Sequence, residues 1–268
     1  MGVIKKIIKQ HIGFRKQIIN LAKVEFKKEN SNSLLGGIWN IIKPLVIILV
    51  YWFAFEIGLR SGKDINGQPF FLWLLVGIIP WFYISEMLIK GSKCIKKNSY
   101  LVNKMKFPSV VIPTFVNLSS FMSHLMLMVV VFLIYLLFKQ PITIYIIQLP
   151  IYMLLTFTFL NLWSFLTSFL VVFSKDLANL IKSTITALFW LSGIIWNVEN
   201  VDIAWIQVLL KINPITFLTN GYRNCFINQE WIFESPLELA IFGGVLLGLA
   251  ILGILSYKKL RREIPDVL

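Results

Sequence analysis

Few side chains in this sequence could do chemistry, and their spacing keeps most of them apart. His11 and His124 are isolated from each other and from Cys94 and Cys225, so no metal-ligand cluster is expected. No G-x-x-x-x-G-K-[ST] loop is present to cradle a nucleotide triphosphate, and neither H-E-x-x-H nor G-x-S-x-G occurs. Two acids remain, each with a base four residues on: Glu56 before Arg60, and Glu86 before Lys90. This spacing brings acid and base together on one helix face, so both read as local ion pairs near a membrane interface. His124, Glu56 and Glu86 are the groups that could serve an embedded transferase as acid or base, because ionisable residues inside a membrane are costly and usually functional. Full activity in their alanine variants would remove that option.

The densest chemistry is charge. Residues 90–108, KGSKCIKKNSYLVNKMKFP, set Lys90, Lys93, Lys96, Lys97, Lys104 and Lys106 between two strongly apolar runs. Positive charge beside membrane spans is retained on the cytoplasmic side, which puts this stretch inside. Ser99, Tyr100, Leu101 and Val102 can open a short helix whose apolar residues point away from the lysines, a knob that a soluble partner could grip. The plain alternative is a solvated loop resting on lipid head groups.

The elements that position these residues must be membrane helices. The chain is 57% hydrophobic and 15% charged, with mean hydropathy +0.76, whereas soluble domains carry about 25% charged residues. An all-α integral membrane protein is expected, with six transmembrane helices near 38–59, 70–89, 110–138, 144–173, 180–196 and 237–257. Most are close to the roughly 20 residues that cross about 30 Å of hydrocarbon, and the longer third and fourth are expected to tilt, bend or project beyond the bilayer. Six crossings put both termini on one side. Of the 26 Lys and Arg only Arg60, Lys63, Lys139, Lys211 and Arg223 then fall outside, which fixes the ends in the cytoplasm. Cys94 inside and Cys225 outside cannot pair with each other.

Residues 1–33 read as an amphipathic interfacial helix, with Ile4, Ile7, Ile8 and Ile12, then Ile18, Ile19, Ala22 and Phe26, on its apolar side and lysines opposite. The interleaved lysines argue against a cleavable signal. Residues 30–33 and Gly36-Gly37 end that helix. Pro80 is expected to kink the second span. Pro113, Asn117, Ser120 and His124 share a face of the third, and Asn161, Ser164 and Ser168 a face of the fourth; such stripes let helices approach in lipid. Asp176 is placed to cap the fifth helix. Residues 197–235 contain two apolar pieces too short to cross, broken at Asn213-Pro214, and read as an outer re-entrant pair. Trp39, Trp73, Trp196, Trp205 and Trp231 fall near interfaces, with Trp52, Trp81, Trp163 and Trp190 deeper.

The order of these stretches resembles the permease subunit of ABC-2 type exporters: a basic amphipathic helix, WNIIKPL from Trp39, GIIPWFYISEML from Gly77, NSYLVNKMKFPSVVIP from Asn98, SKDLANLI from Ser174 and INPITFLTNGYR from Ile212. Within that family the chain looks most like wall teichoic acid and O-antigen export permeases. The resemblance implies a transmembrane domain over 34–258, including a coupling loop at 90–108, and a cytoplasmic tail at 259–268. It further implies a homodimer working with two copies of a separate ATPase, in a multi-pass bacterial plasma-membrane complex.

Cofactors are expected only on that partner, which would bind ATP and Mg, so no catalytic site is expected in this chain. Coupling to the ATPase would fall to Lys97, Asn98, Tyr100, Leu101, Val102 and Lys104. Trp39, Lys43, Tyr51, Phe55, Trp190 and Ser192 would line the substrate path, and Asn213 and Pro214 would form an outer gate. Gly193 stands where relatives often carry proline. The expected cargo is a lipid-linked polymer, with undecaprenyl-linked wall teichoic acid ahead of O-antigen or capsular polysaccharide; a drug exporter of the same architecture is the nearest rival. Lipids are expected as further partners, nucleic acid is not.

Overall fold

The computed structural model describes residues 2–30, 36–58, 68–105 and 107–268. The regular elements among them are helices. The amino terminus forms two rather than the expected one: α1 (Val3–Gly13) and α2 (Arg15–Asn30), parted at Phe14, whose ring packs edge-on against Phe107 at 5.1 Å. In α1, Ile4, Ile8 and Ile12 are exposed as an interfacial face requires. Helix α2 departs from that expectation. It buries Ile18, Ala22 and Glu25 and packs along a span, so tertiary contact rather than lipid takes this face. Of the segment expected to break the helix, residues 31–35 lie outside the described residues.

Among the described residues, five helices are long and apolar enough to cross a membrane: Gly36–Gly58, Phe70–Ser92, Ser109–Leu137, Ile144–Phe173 and Pro236–Leu260. Their regular cores are α3 (Trp39–Trp52), which widens into a π turn at Phe53–Gly58, and α4 (Phe70–Ser92). The short helices α5 (Cys94–Lys97) and α6 (Ser99–Asn103) lead into α7 (Ile112–Leu137), which α2 packs against, and α8 (Leu149–Phe173). The expected fifth span is shifted by five residues towards the amino terminus at unchanged length. Helix α9 covers Lys175–Leu191, 17 residues, or about 26 Å at 1.5 Å per residue. Ser174, not Asp176, caps it, its hydroxyl accepting from the Leu177 amide at 3.3 Å. Gly193, two residues past its end, sits at φ +58°.

Next come α10 (Ala204–Ile212) and α11 (Pro214–Arg223), parted at Asn213 as the sequence predicts, then α12 (Pro236–Leu260) and the terminal turn α13 (Ile264–Val267). Helix α4 is the centre, packing against α8, α7, α11, α9 and α3. It is apolar all round because it is enclosed all round. A Cβ on Gly91 would overlap Ser164, so glycine lets α4 and α8 approach closely. By contrast α3 buries only Ile48, and α12 only Phe242, Gly253 and Tyr257. Their remaining apolar surface suits lipid or another helix.

Candidate functional site

Three groups of side chains carry the candidate chemistry. The inner one is the basic connection. Lys97 donates to Glu25 of α2 at 2.8 Å, tying α5 to the amino-terminal arm. Asn98 Nδ2 donates to the Cys94 carbonyl at 2.9 Å, closing α5, and the Phe107 amide donates to the Leu101 carbonyl at 2.9 Å, closing the loop after α6. Leu101 and Val102 pack inward against the core, while Tyr100 is 61% exposed with Lys104 over its ring at 5.7 Å. Of the six expected coupling residues, then, Lys97, Tyr100 and Lys104 face outward, while Asn98, Leu101 and Val102 hold the shape. Cys94 is wholly buried nearby, and burial pushes its thiol up to about 12.

The second group flanks α3. Trp39 and Lys43 sit 5.7 Å apart in a cleft bounded by α4 and α7. Tyr51 and Trp190 share a different cleft, between α3, α4 and α9, floored by Trp81 and Phe189, with Tyr51 stacked on Phe189 at 5.5 Å. Four of the six expected path residues thus fall into two clefts either side of α3. Phe55 leans on Phe70 at 6.2 Å towards the other end of the helix. Ser192 is fully buried and lines neither cleft; it accepts from Asn213 Nδ2 at 2.9 Å, so its observed contact is with the expected gate.

Deeper in the bundle, polar contacts tie the third-span stripe to α4, α8 and α11. Tyr83 donates to Asn117 Oδ1 at 2.6 Å, Asn117 donates to the Phe157 carbonyl at 2.9 Å, and His124 Nε2 lies 2.9 Å from the Tyr222 hydroxyl. Glu86 accepts from Lys90 at 3.2 Å as its spacing predicts, and from Ser120 at 2.7 Å, which spacing could not show. Glu56 is described, but Arg60, its expected partner, is not.

The third group is the outer joint, and its main residue was counted in the sequence only as an outer charge. Arg223 is 2% exposed. Its guanidinium lies flat on Trp73 at 3.5 Å and donates to the carbonyls of Gly193 at 2.8 Å and Ile194 at 2.6 Å, and to Asn220 Oδ1 at 3.2 Å. Trp73 is therefore a stacking platform in the core, not an interfacial anchor. A Cβ on Gly77 would overlap the guanidinium, so α4 leaves a slot for it. At the other end of α11, Asn213 caps the helix through the Ile215 amide at 3.0 Å and donates to the Leu191 carbonyl at 3.3 Å. The two ends of α11 thus grip residues 191–194 together. Proline, with φ held near −65°, could not take the place of Gly193 here. The pairing of Gly77 with Arg223 had a sequence signal, since both fall in the stretches quoted above, but nothing in a linear pattern joins them.

Comparison with known proteins follows the same span. Residues 16–227 match the family model described as ABC-2 type transporter. Over 247 residues the chain is 27% identical to the O-antigen export system permease protein RfbA of Myxococcus xanthus, covering 90% of this chain and 92% of that one. Two proteins of the same name from Klebsiella pneumoniae are 21% and 23% identical over 258 residues, each match covering 94% of both chains.

Proposed function

Because this chain belongs to the ABC-2 type transporter family, we propose that it is the permease subunit of an ATP-driven exporter, carrying a lipid-linked polysaccharide from the cytoplasmic to the outer face of a bacterial plasma membrane. It is a multi-pass membrane protein. Its relatives are named for O-antigen export, which favours a polysaccharide of that kind over wall teichoic acid. In this reading α9 makes a sixth crossing, α10 and α11 dip in and return on the outer side, and both termini face the cytoplasm. Two copies pair along α3 and α9, whose aromatic cleft with Tyr51 and Trp190 offers flat contact surface to a passing glycan. Two ATPase copies, which bind ATP and Mg, drive the cycle from below.

The observation that carries this reading is Tyr100: an aromatic side chain standing out from a short helix that is braced from beneath, among lysines on the side assigned to the cytoplasm. With the ATPase and permease reconstituted together, Tyr100→Ala should cut transport-coupled ATP hydrolysis about tenfold, as loss of an aromatic anchor at an interface does. The fold, followed by thermal unfolding in detergent, should be unchanged. Undiminished coupling in that variant would overturn the assignment of the knob.

A further inference from the structure

Between α3, α4 and α7 lies a cleft of about 240 Å³, which adjoins the aromatic one shared with α9 at Ile47 and Phe82. Ser120, Ser123 and His124, at helical spacing on α7, meet Lys43 and Trp39 of α3 across it, and Glu86 of α4 closes the side. The acid is already engaged by Lys90 and Ser120. Lys43 has no carboxylate within ion-pair distance among the described residues, and its nearest aromatic neighbour is Trp39. His124 is 1% exposed; its Nε2 is taken up with Tyr222, and Nδ1 is left without a partner among the described residues. Either tautomer leaves one hydrogen bond unmade, which is unfavourable in an apolar interior unless a ligand or water meets it. The rest of the lining is largely apolar, with Pro44, Ile47, Phe82 and Leu127.

One unpaired cation, hydroxyls, an imidazole with an open position and an acid already neutralised together select an oxygen-rich anion, and the apolar part of the lining selects one attached to a hydrocarbon chain. We propose that this cleft binds the phosphate-ester headgroup of a membrane lipid, Lys43 supplying the charge and Ser123 and His124 the hydrogen bonds. That the lipid enters from the inner leaflet rests on the topology of the export reading; the binding chemistry does not. The same headgroup chemistry is offered by the isoprenoid carrier of a cargo and by a resident anionic phospholipid.

The test is binding to the full-length chain in detergent without its ATPase, followed by native mass spectrometry with farnesyl phosphate, phosphatidylglycerol, and the headgroup-free farnesol and diacylglycerol. Both phosphate lipids should bind, with Lys43→Gln weakening them about tenfold and Ser123→Ala several-fold, as loss of a charge-assisted and a neutral hydrogen bond predicts. Preference for farnesyl phosphate assigns the cleft to a cargo carrier, and equal or reversed preference assigns it to a resident phospholipid. Farnesol binding as well as farnesyl phosphate, or both variants staying within about twofold of the native chain, would overturn the proposal. Since no ATPase is present, failure here leaves the Tyr100 experiment intact, and failure of that experiment leaves the cleft intact.

Discussion

Arg223 fits its surroundings through geometry rather than through a counter-charge. Its partners are carbonyl dipoles and the face of Trp73, an arrangement that the planar guanidinium meets and an ammonium cannot. Arg223→Lys should therefore behave more like Arg223→Ala than like the native chain. Each should lose about 2–4 kcal/mol by leaving buried carbonyls unmet, read as a lowered unfolding temperature in detergent. If lysine restored the native value, the fork geometry would not matter. Gly193→Pro should be as damaging, because its ring cannot reach φ +58°. At the inner end, the raised thiol pKa and full burial of Cys94 predict negligible maleimide labelling of the folded protein at pH 7 to 8, with rapid labelling after denaturation. Reaction in the folded state at the rate of a free thiol would contradict that burial. None of these three positions stood out from spacing alone. Arg223 counted as one charge in an outer loop, and only tertiary contact brings Trp73, Gly77 and Gly193 to it.

At the scale of elements, what the chain could show depended on whether the cause was local. The Asn213-Pro214 break and the Glu86–Lys90 pair are near-neighbour effects, and both were legible. The start of α9 was legible to within two residues, since Ser174 and Asp176 both favour a helix N-terminus and only one has the hydroxyl in place. The second half of the amino-terminal segment, α2, departs from the expected interfacial face because lysines on one side and apolar residues on the other look alike whether lipid or protein covers the apolar side. Ala22 and Glu25 decide the matter in α2, being small and acidic where a lipid-facing helix gains nothing from either. The Glu25–Lys97 pair is half exposed at the lysine, so Glu25→Gln should cost about 1 kcal/mol or less in stability. Its larger effect should be on the order of α5 and α6, seen as faster amide exchange over residues 94–104. Unchanged exchange there would show that the loop is held by Phe107 and the core instead.

For the whole molecule, the uneven covering of the spans is informative. Helix α4 is enclosed, whereas α3 and α12 expose most of their length. Pairing of two copies along α3 and α9 would cover Trp190, which is 51% exposed. Cysteine introduced at 190 should then cross-link between copies in native membranes, while cysteine at Leu247 on α12, equally apolar and exposed, should not. The reverse pattern would move the pairing face to α12. The overall class and five of the six expected spans were readable from hydropathy because the bilayer imposes it on every residue in a window. The division of α3 between two clefts was not, since both sides of that helix carry similar residues.

The double grip of α11 on residues 191–194 has a mechanical consequence. Clasped at its carboxyl end, α9 is joined to α11 as one rod, so a displacement at its amino-terminal end reaches α11 without slack. Amides of 191–194 and of 213–223 should then open to exchange as one unit, and separate opening would mean that α11 swings freely.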